Sequence, residues 1–197
     1  MRDYSNNKSQ WQPATMTIHA GKQMDEHGAL VAPIYQTATF AFANTAQGSA
    51  RFAGEESGYI YSRLGNPTID QLEQRVAALE GFPAAAASAT GMGAISAAML
   101  AFLEQGDHVV AAHAIYGCSF ALFSHLFRKF GISVDYVDMT DPANVQAAMR
   151  DNTKMVFVET PANPHLKVID IAAVSAIAKQ HQARVIVDNT FMTPLLQ

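Results

Sequence analysis

The spacing of apolar residues predicts a helix that begins after Asn66. Asn66 suits the N-cap, because its side chain can accept a hydrogen bond from the first turn, and Pro67 suits the first helical position. Gly81 is expected to end the helix. Between these points the apolar residues repeat at helical spacing, at Ile69, Leu72, Val76 and Leu79.

Beyond Gly81, short apolar runs alternate with helical stretches. The runs predict strands at Ala84–Ala87, Val109–Ala112, Val134–Val137, Met155–Val158 and Val185–Val187. Helices are expected between them at Ala94–Leu103, Ser119–Phe130, Pro142–Met149 and Ile171–His181, with Asp141 and Asp170 at helix starts. The alternation predicts an α/β fold, in which a mostly parallel sheet carries helices on both faces. Ligands of such sheets bind beyond the carboxyl ends of the strands.

The first sixty residues show weak periodicity and many turn residues, which predicts an extended arm that packs on something else. The chain has 197 residues, of which 49% are hydrophobic and 15% charged, enough for one domain or one and a half. Its net charge is −4, and its 13 Lys and Arg residues form no basic run. This pattern argues against a nucleic-acid partner.

Cysteine usage and hydropathy bear on where the protein works. The single cysteine, Cys118, excludes a disulfide within the chain and favours an intracellular, cytoplasmic setting. Residues 1–12 are polar and lack the apolar core of a secretory signal. Residues 84–103 carry no charge and are as long as a membrane span, but Gly91 and Gly93 interrupt them. A buried strand, a tight turn and a buried helix are the preferred interpretation of that stretch.

Polar and aromatic residues follow the predicted strands, where a ligand is expected. After the first strand, residues 88–93 form a turn of small residues that leads into a helix. This turn predicts a phosphate cradle, although a plain strand–helix turn would have the same sequence. Tyr116 follows the second strand, where its ring could stack on a planar cofactor or could be structural.

Two more polar residues follow later strands. Asn163 comes after the fourth strand, between Pro161 and Pro164, which hold its amide in a fixed place. Asp188 comes after the fifth, and a carboxylate at the end of a buried strand needs a partner. A helix N-cap is the alternative for Asp188, although the segment after it does not look helical. Together the four features predict a site for a phosphorylated, planar, nitrogen-containing cofactor.

Several blocks of sequence in a fixed order resemble the Cys/Met-metabolism family of pyridoxal-phosphate enzymes. The similarity extends from Thr17 to Gln197. Its blocks are TIHAG at 17–21, PIYQTATF at 33–40, YIYSRLGNPT at 59–68, TGM at 90–92, YG at 116–117, ETPANP at 159–164 and VDNTF at 187–191. The resemblance implies an aspartate-aminotransferase-like, fold type I large domain with pyridoxal 5'-phosphate as cofactor.

The resemblance also implies roles for the residues at the strand ends. Backbone N–H groups of Gly91 and Met92 would bind the cofactor phosphate, and Tyr116 would stack on the pyridine ring. Asp188 would pair with the ring nitrogen and keep it protonated, which makes the ring a better electron sink. Asn163 is expected near the 3-oxygen of the ring. Glu159 is expected among the cofactor-binding residues, in the shell that supports Asn163.

Tyr61 and Arg63 resemble a pair that reaches across a subunit boundary to the neighbour's cofactor phosphate. The fork of an arginine side chain suits that task, and a solvated surface arginine is the competing interpretation of Arg63. The resemblance therefore implies a homodimer, or a homotetramer built from such dimers. Residues 1–60 would be an N-terminal arm in the subunit contact, and residues 61–197 the first part of the cofactor-binding large domain.

Within the family, Tyr116-Gly117-Cys118 resembles the methionine γ-lyases, whereas cystathionine γ-synthases and γ-lyases usually have glycine at the third place. The implied reaction is α,γ-elimination of L-methionine to methanethiol, 2-oxobutanoate and ammonia. Tyr116 would be the acid that protonates the leaving thiol. Cys118 would be a reactive thiol at a helix start, with a merely buried cysteine as the competing interpretation.

The family holds its cofactor as a Schiff base with a lysine in a Ser-x-Thr-Lys segment, and no lysine of this chain follows such a motif. The smaller C-terminal domain of the family is not seen in the sequence either. We therefore expect an incomplete part of a longer enzyme, inactive alone. A γ-replacement enzyme, such as a cystathionine γ-synthase or an O-acylhomoserine sulfhydrylase, is the second hypothesis. A catalytically inactive remnant is the third.

Two other ligand classes fit the sequence poorly. Residues 91–96 have the first two glycines of the dinucleotide fingerprint but lack the third. The seven histidines show no His-x-x-x-His spacing, and the single cysteine allows no Cys-x-x-Cys pair, so no metal site is expected.

Overall fold

A computed structural model describes residues 11–21, 25 and 27–197 of the chain. Most of the polar stretch 1–12, interpreted above as lacking a secretory signal, lies outside the described residues. The chain divides into two compact units at residues 87 and 88. The predicted division at residue 60 concerns contacts between subunits and stays a prediction.

The second unit contains a four-stranded parallel sheet. Its strands are β1 (His108–Ala112), β2 (Ser133–Val137), β3 (Thr153–Glu159) and β4 (Arg184–Asp188), in the order β2-β1-β3-β4. All three strand pairings are parallel. Four of the five predicted strands are therefore confirmed, each extended by one to three residues.

Alternate residues of the central strands face opposite sides of the sheet, and both sides are covered. On one side, Val109 and Phe157 pack with apolar residues that include Met99, Phe123 and Phe127. On the other side, the core cluster contains Val110, Ala112, Val156, Val158, Met139, Val145, Val174 and Ala178. The prediction of a sheet with helices on both faces is confirmed, since strands buried on both faces are apolar throughout.

Helices of the second unit connect these strands. They are α4 (Gly91–Leu100), α5 (Gly117–Ala121) with a π-helical continuation Leu122–Phe127, α6 (Pro142–Ala148), α7 (Ile171–Gln180) and α8 (Thr193–Leu196). Asp141 and Asp170 cap their helices as predicted, accepting from the N–H groups of Ala143 and Ala173 at 2.9 Å. The short α8 was not predicted; its Pro194 suits the first turn of a helix.

The stretch 84–103 differs from its prediction in two ways. Residues 84–87 have no regular secondary structure and form no ladder with any described strand. Alanine has low strand propensity and little side chain to bury. A run of alanines that pairs with no adjacent strand therefore does not form a strand. The helix that follows, α4, buries only Met99 of its residues. Among the described residues, no helix is long and apolar enough to cross a membrane.

The first unit is built around α3 (Pro67–Glu80), with the shorter helices α1 (Pro13–His19) and α2 (Thr45–Phe52). Asn66 is the N-cap of α3, and Gly81 ends it in the left-handed conformation, at φ 70°, as predicted. The extended-arm prediction for the first sixty residues is wrong where α1 and α2 form. Both helices are too short for the periodicity to reveal them. An isolated antiparallel bridge joins Thr39 to Tyr61.

The strand order reverses between β1 and β3. From β1 the chain crosses to β2 on one side, and it then returns to place β3 and β4 on the other side. The carboxyl ends of β1 and β3 therefore adjoin at the point where the order reverses. Open parallel sheets bind their ligands at this point.

Replacing Phe157 by alanine should lower the free energy of unfolding by about 3–5 kcal/mol, because removal of a buried aromatic ring leaves a cavity. Phe157 is fully buried and lies edge-on to Phe123, with 5.0 Å between ring centroids. Denaturant unfolding of the complete protein that carries this sequence measures the change. In the control, Phe130→Ala, a side chain 49% exposed is removed, and the loss should be much smaller. Equal losses would contradict the placement of Phe157 in the core.

Candidate cofactor site

The turn before α4 leaves backbone N–H groups open to a ligand. Thr90 is the N-cap, and its hydroxyl accepts from the N–H of Gly93 at 3.0 Å. No described residue accepts from the N–H groups of Gly91 and Met92. A Cβ placed on Gly91 would meet no atom within 4 Å, so the approach to these groups is open. This arrangement suits an anion such as a phosphate.

A side-chain contact joins this turn to the loop after β1. The hydroxyl of Ser119 in α5 donates to the sulfur of Met92 at 3.8 Å. Tyr116 directly precedes α5 as its N-cap residue. The turn at Gly91 and the loop that carries Tyr116 are therefore neighbours in the second unit.

Glu159 is the last residue of β3, and its carboxylate accepts hydrogen bonds from two loops. Its Oε2 accepts the backbone N–H of Tyr116 at 2.6 Å, and its Oε1 accepts the backbone N–H of Asn163 at 3.2 Å. Glu159 is only 6% exposed. Hydrogen bonds to a charged, buried acceptor are among the stronger ones in proteins. The geometry gives Glu159 a supporting role, and its predicted contact with the cofactor stays a prediction.

Asn163 lies in the loop after β3 with its side chain exposed. The peptide bonds before Pro161 and Pro164 are both cis. The loop is tied at its two ends, where the hydroxyl of Thr160 accepts the N–H of Ile169 at 3.0 Å and the carbonyl of Lys167 accepts the N–H of Ala162 at 3.0 Å. The amide of Asn163 is thus presented from a fixed loop.

Asp188 is the last residue of β4 and pairs in register with Glu159 on β3. Paired residues of adjacent strands point to the same face of a sheet, so the two carboxylates are on one face. The Oδ1 atom of Asp188 accepts from the N–H of Thr190 at 3.2 Å and from its hydroxyl. Thr190 is thus the partner that the partly buried carboxylate was expected to need.

Tyr116 and Cys118 form the exposed part of the site. The ring of Tyr116 is 47% exposed, which leaves a face for a planar group to stack on. A hydrogen bond with Cys118, and then the charge of that thiol, raise the pKa of the Tyr116 phenol above its ordinary value. Cys118 is exposed, so the competing interpretation of a buried cysteine is wrong.

Tyr61 and Arg63 lie in the first unit, near the bridge between Thr39 and Tyr61. Both side chains are exposed, and the guanidinium of Arg63 lies over the ring of Tyr61, at 4.7 Å from its centroid. Such an arrangement is a cation–π contact. Their contact with a neighbouring subunit's cofactor stays a prediction.

The structure adds two residues that sequence reasoning did not select. Thr190 could have been found, because a threonine two residues after an aspartate is the pattern of an Asx turn. Ser119 gave no such signal, since its contact with Met92 depends on the packing of two helices. Among the residues that the structure describes, no three His, Cys, Asp or Glu side chains are grouped to hold a metal ion.

The donor set of the second unit suits a phosphorylated pyridine cofactor. Two open N–H groups lie at Gly91 and Met92, an exposed ring at Tyr116, an exposed amide at Asn163 and a carboxylate at Asp188. These groups can hold an anion, stack on a plane, meet a ring oxygen and pair with a protonated ring nitrogen. The residues present thus fit the cofactor that the resemblance implies.

Comparison with known proteins identifies the family of this chain. The family described as Cys/Met metabolism PLP-dependent enzyme matches residues 14–197. An L-methionine gamma-lyase of Treponema denticola is 50% identical over 186 residues, which cover 93% of this chain and 46% of that protein. An O-succinylhomoserine sulfhydrylase of Pseudomonas aeruginosa is 42% identical over 183 residues, covering 93% of this chain and 45% of that protein.

A solved structure shares the fold. It is named for O-acetylhomoserine (thiol)-lyase of Campylobacter jejuni and is described with a pyridoxyl-lysine monophosphate. Its TM-score is 0.87 at 37% identity, over 93% of this chain and 45% of that chain. The chain therefore spans about half the length of the relatives it matches.

The fold and the site define a pyridoxal-phosphate-dependent enzyme of fold type I, and the predicted fold class and cofactor are confirmed. More narrowly, the chain belongs to the Cys/Met-metabolism family, whose members here include carbon–sulfur lyases and sulfhydrylases.

Replacement of Cys118 should lower the pKa of the Tyr116 phenol towards its ordinary value. Cys118→Ala removes both the hydrogen bond and the charge that raise this pKa, so the phenolate should form at lower pH. Cys118→Ser keeps a hydroxyl and should give an intermediate pKa. Ultraviolet titration of each variant, compared with the same variant carrying Tyr116→Phe, isolates this phenol from the other tyrosines. A pKa that is equal in all three proteins would refute the contact.

Proposed function

We propose that the complete protein catalyses the α,γ-elimination of L-methionine, with pyridoxal 5'-phosphate as cofactor. Methionine and one water yield methanethiol, 2-oxobutanoate and ammonia. The observation that carries the proposal is the placement of Tyr116, whose exposed ring stands beside Cys118 and whose backbone N–H is held by the buried carboxylate of Glu159. The name of the Treponema denticola relative supports it as well.

Each residue of the proposed mechanism binds, orients or carries a proton. The N–H groups of Gly91 and Met92 bind the phosphate, and the ring of Tyr116 stacks on the pyridine. Asp188 holds a proton at the ring nitrogen, and Asn163 orients the ring through its 3-oxygen. When bound, the cofactor supplies an electron sink for the negative charge that develops on the substrate.

Tyr116 carries out the proton transfer that distinguishes elimination of a thiol. Cleavage of the bond between Cγ and sulfur leaves a methanethiolate, and the phenol gives its proton to that sulfur. A phenol carries its proton at neutral pH, and the raised pKa of Tyr116 preserves that state, so Tyr116 can supply this proton. Cys118 is the neighbour whose thiol raises the pKa of the phenol.

A γ-replacement reaction is the second candidate. The Pseudomonas aeruginosa relative is named for sulfhydrylation of O-succinylhomoserine, and it is 42% identical to this chain. The same phosphate, ring and nitrogen contacts would serve both reactions. They differ in what leaves Cγ and what is added there.

We further propose that the protein is a homodimer or homotetramer in the cytoplasm. The support is the pair Tyr61 and Arg63, which is exposed and preformed in the first unit. An arginine over an aromatic ring can present its fork to phosphate oxygens. In the assembled protein this pair would complete a neighbour's phosphate site.

Assay of the complete protein with L-methionine should yield methanethiol and 2-oxobutanoate in equal amounts. Tyr116→Phe should reduce this rate on the order of 100-fold, because a positioned acid contributes at least that much. Cofactor binding, read from its absorbance, should persist in the variant. Tyr136→Phe is the matched control, since it removes a hydroxyl bonded to Ser124 outside the site.

Two results would contradict the elimination proposal. One is a protein that releases no methanethiol but condenses O-succinylhomoserine with sulfide. The other is a Tyr116→Phe variant that retains the full rate of elimination.

A further inference from the structure

The segment that carries Tyr61 and Arg63 is attached to the first unit by few backbone bonds. The N–H of Phe40 donates to the carbonyl of Ile60 at 3.1 Å, and the N–H of Ser62 donates to the carbonyl of Ala38 at 2.9 Å. Tyr61 and Arg63 are both exposed. Something more must fix the turn if the pair is to be presented in one conformation.

The side chain of Asn66 supplies that attachment, through both the nitrogen and the oxygen of its amide. It is 4% exposed. Its Nδ2 donates to the carbonyl of Tyr35 at 3.0 Å and to the hydroxyl of Ser62 at 2.9 Å. Its Oδ1 accepts from the N–H of Thr68 at 2.9 Å. One buried side chain thus joins the start of α3, the segment at Tyr35 and the residue between Tyr61 and Arg63.

Ser62 passes this constraint on to a third segment. Its hydroxyl accepts from Asn66 and donates to the carbonyl of Thr37. A hydroxyl has one proton, so the donor to Ser62 must come from another group, and the Nδ2 of Asn66 fills that need. The orientation of Ser62 therefore depends on the amide of Asn66.

We propose that Asn66 is a positioning residue for the phosphate contact of Tyr61 and Arg63. It fixes Ser62 and so presents the flanking pair in a preset geometry, which removes part of the ordering cost of binding. The inference rests on the proposed function, in which this pair meets a cofactor phosphate. It concerns how the pair is held, which the proposed function leaves open.

Helix capping alone does not account for the whole amide. The cap uses only Oδ1, and aspartate caps helices as well as asparagine does. The two Nδ2 bonds reach away from the helix, to Tyr35 and Ser62. Asn66→Asp therefore separates the two roles, because it keeps the cap and replaces two donors by an acceptor.

The test measures dissociation constants in the complete protein for pyridoxal 5'-phosphate and for pyridoxal, which lacks the phosphate. Asn66→Asp should weaken binding of the phosphate form on the order of tenfold, the effect of lost buried hydrogen bonds, and should leave pyridoxal affinity unchanged. Arg63→Ala should likewise weaken binding of pyridoxal 5'-phosphate and leave the affinity for pyridoxal unchanged. The double variant should resemble Arg63→Ala alone, since both changes act on one contact.

Two further variants are needed, one as a control and one as a substitute for Asn66→Asp. Asn44→Asp is the matched control, because Asn44 caps α2 through the N–H of Gln47 and is exposed, so both affinities should stay unchanged. If Asn66→Asp does not fold, Ser62→Ala removes the next link of the same chain and should show the same selective loss.

Equal weakening of both cofactors by Asn66→Asp would overturn the inference, and so would additive effects of Asn66→Asp and Arg63→Ala. Those outcomes leave the proposed function standing, provided that Arg63→Ala remains selective. If Arg63→Ala leaves the affinity for the phosphate form unchanged, the phosphate role of Arg63 fails, and the inference fails with it.

Discussion

The buried carboxylate of Glu159 is the contact on which the arrangement of the site depends. It lies at the end of β3, where the strand order reverses, and it binds one backbone N–H from each of two loops. One loop carries Tyr116 and the other carries Asn163. A buried carboxylate is costly unless its oxygens accept hydrogen bonds, and here each oxygen has an N–H donor. The same interaction therefore stabilises the carboxylate and fixes the two loops that carry Tyr116 and Asn163.

In both units, one buried polar side chain holds segments that carry exposed candidate site residues. In the second unit it is Glu159, and in the first it is Asn66, whose amide bonds three segments. Exposed loops have few apolar contacts of their own, so their conformation must come from hydrogen bonds to a rigid element. Fully bonded polar groups of this kind specify one geometry, because any other leaves a buried donor or acceptor unpaired.

Much of the fold could be read from the sequence, because the sheet is buried on both faces. Runs such as 155–158 are apolar at every position, and Asn66, Asp141 and Asp170 mark helix starts in their side-chain chemistry. The prediction of a strand at 84–87 was wrong, because a strand forms only where an adjacent strand accepts and donates its backbone hydrogen bonds. The short helices α1 and α2 were not predicted, because helices of seven or eight residues show too little periodicity in the sequence.

Candidate site residues could be selected from the sequence, whereas the contacts between them could not. Placement after each strand selected Tyr116, Asn163 and Asp188, since strand ends of a parallel sheet share one edge. The pairing of Tyr116 with Glu159 joins residues far apart in sequence, and only the strand order brings them together. Amide hydrogen exchange tests this contact most directly. The account predicts slow exchange at the N–H groups of Tyr116 and Asn163, faster exchange at one of them in Glu159→Gln, whose NH₂ cannot accept, and faster exchange at both in Glu159→Ala. Exchange at the rate of an open loop in the unaltered protein would contradict it.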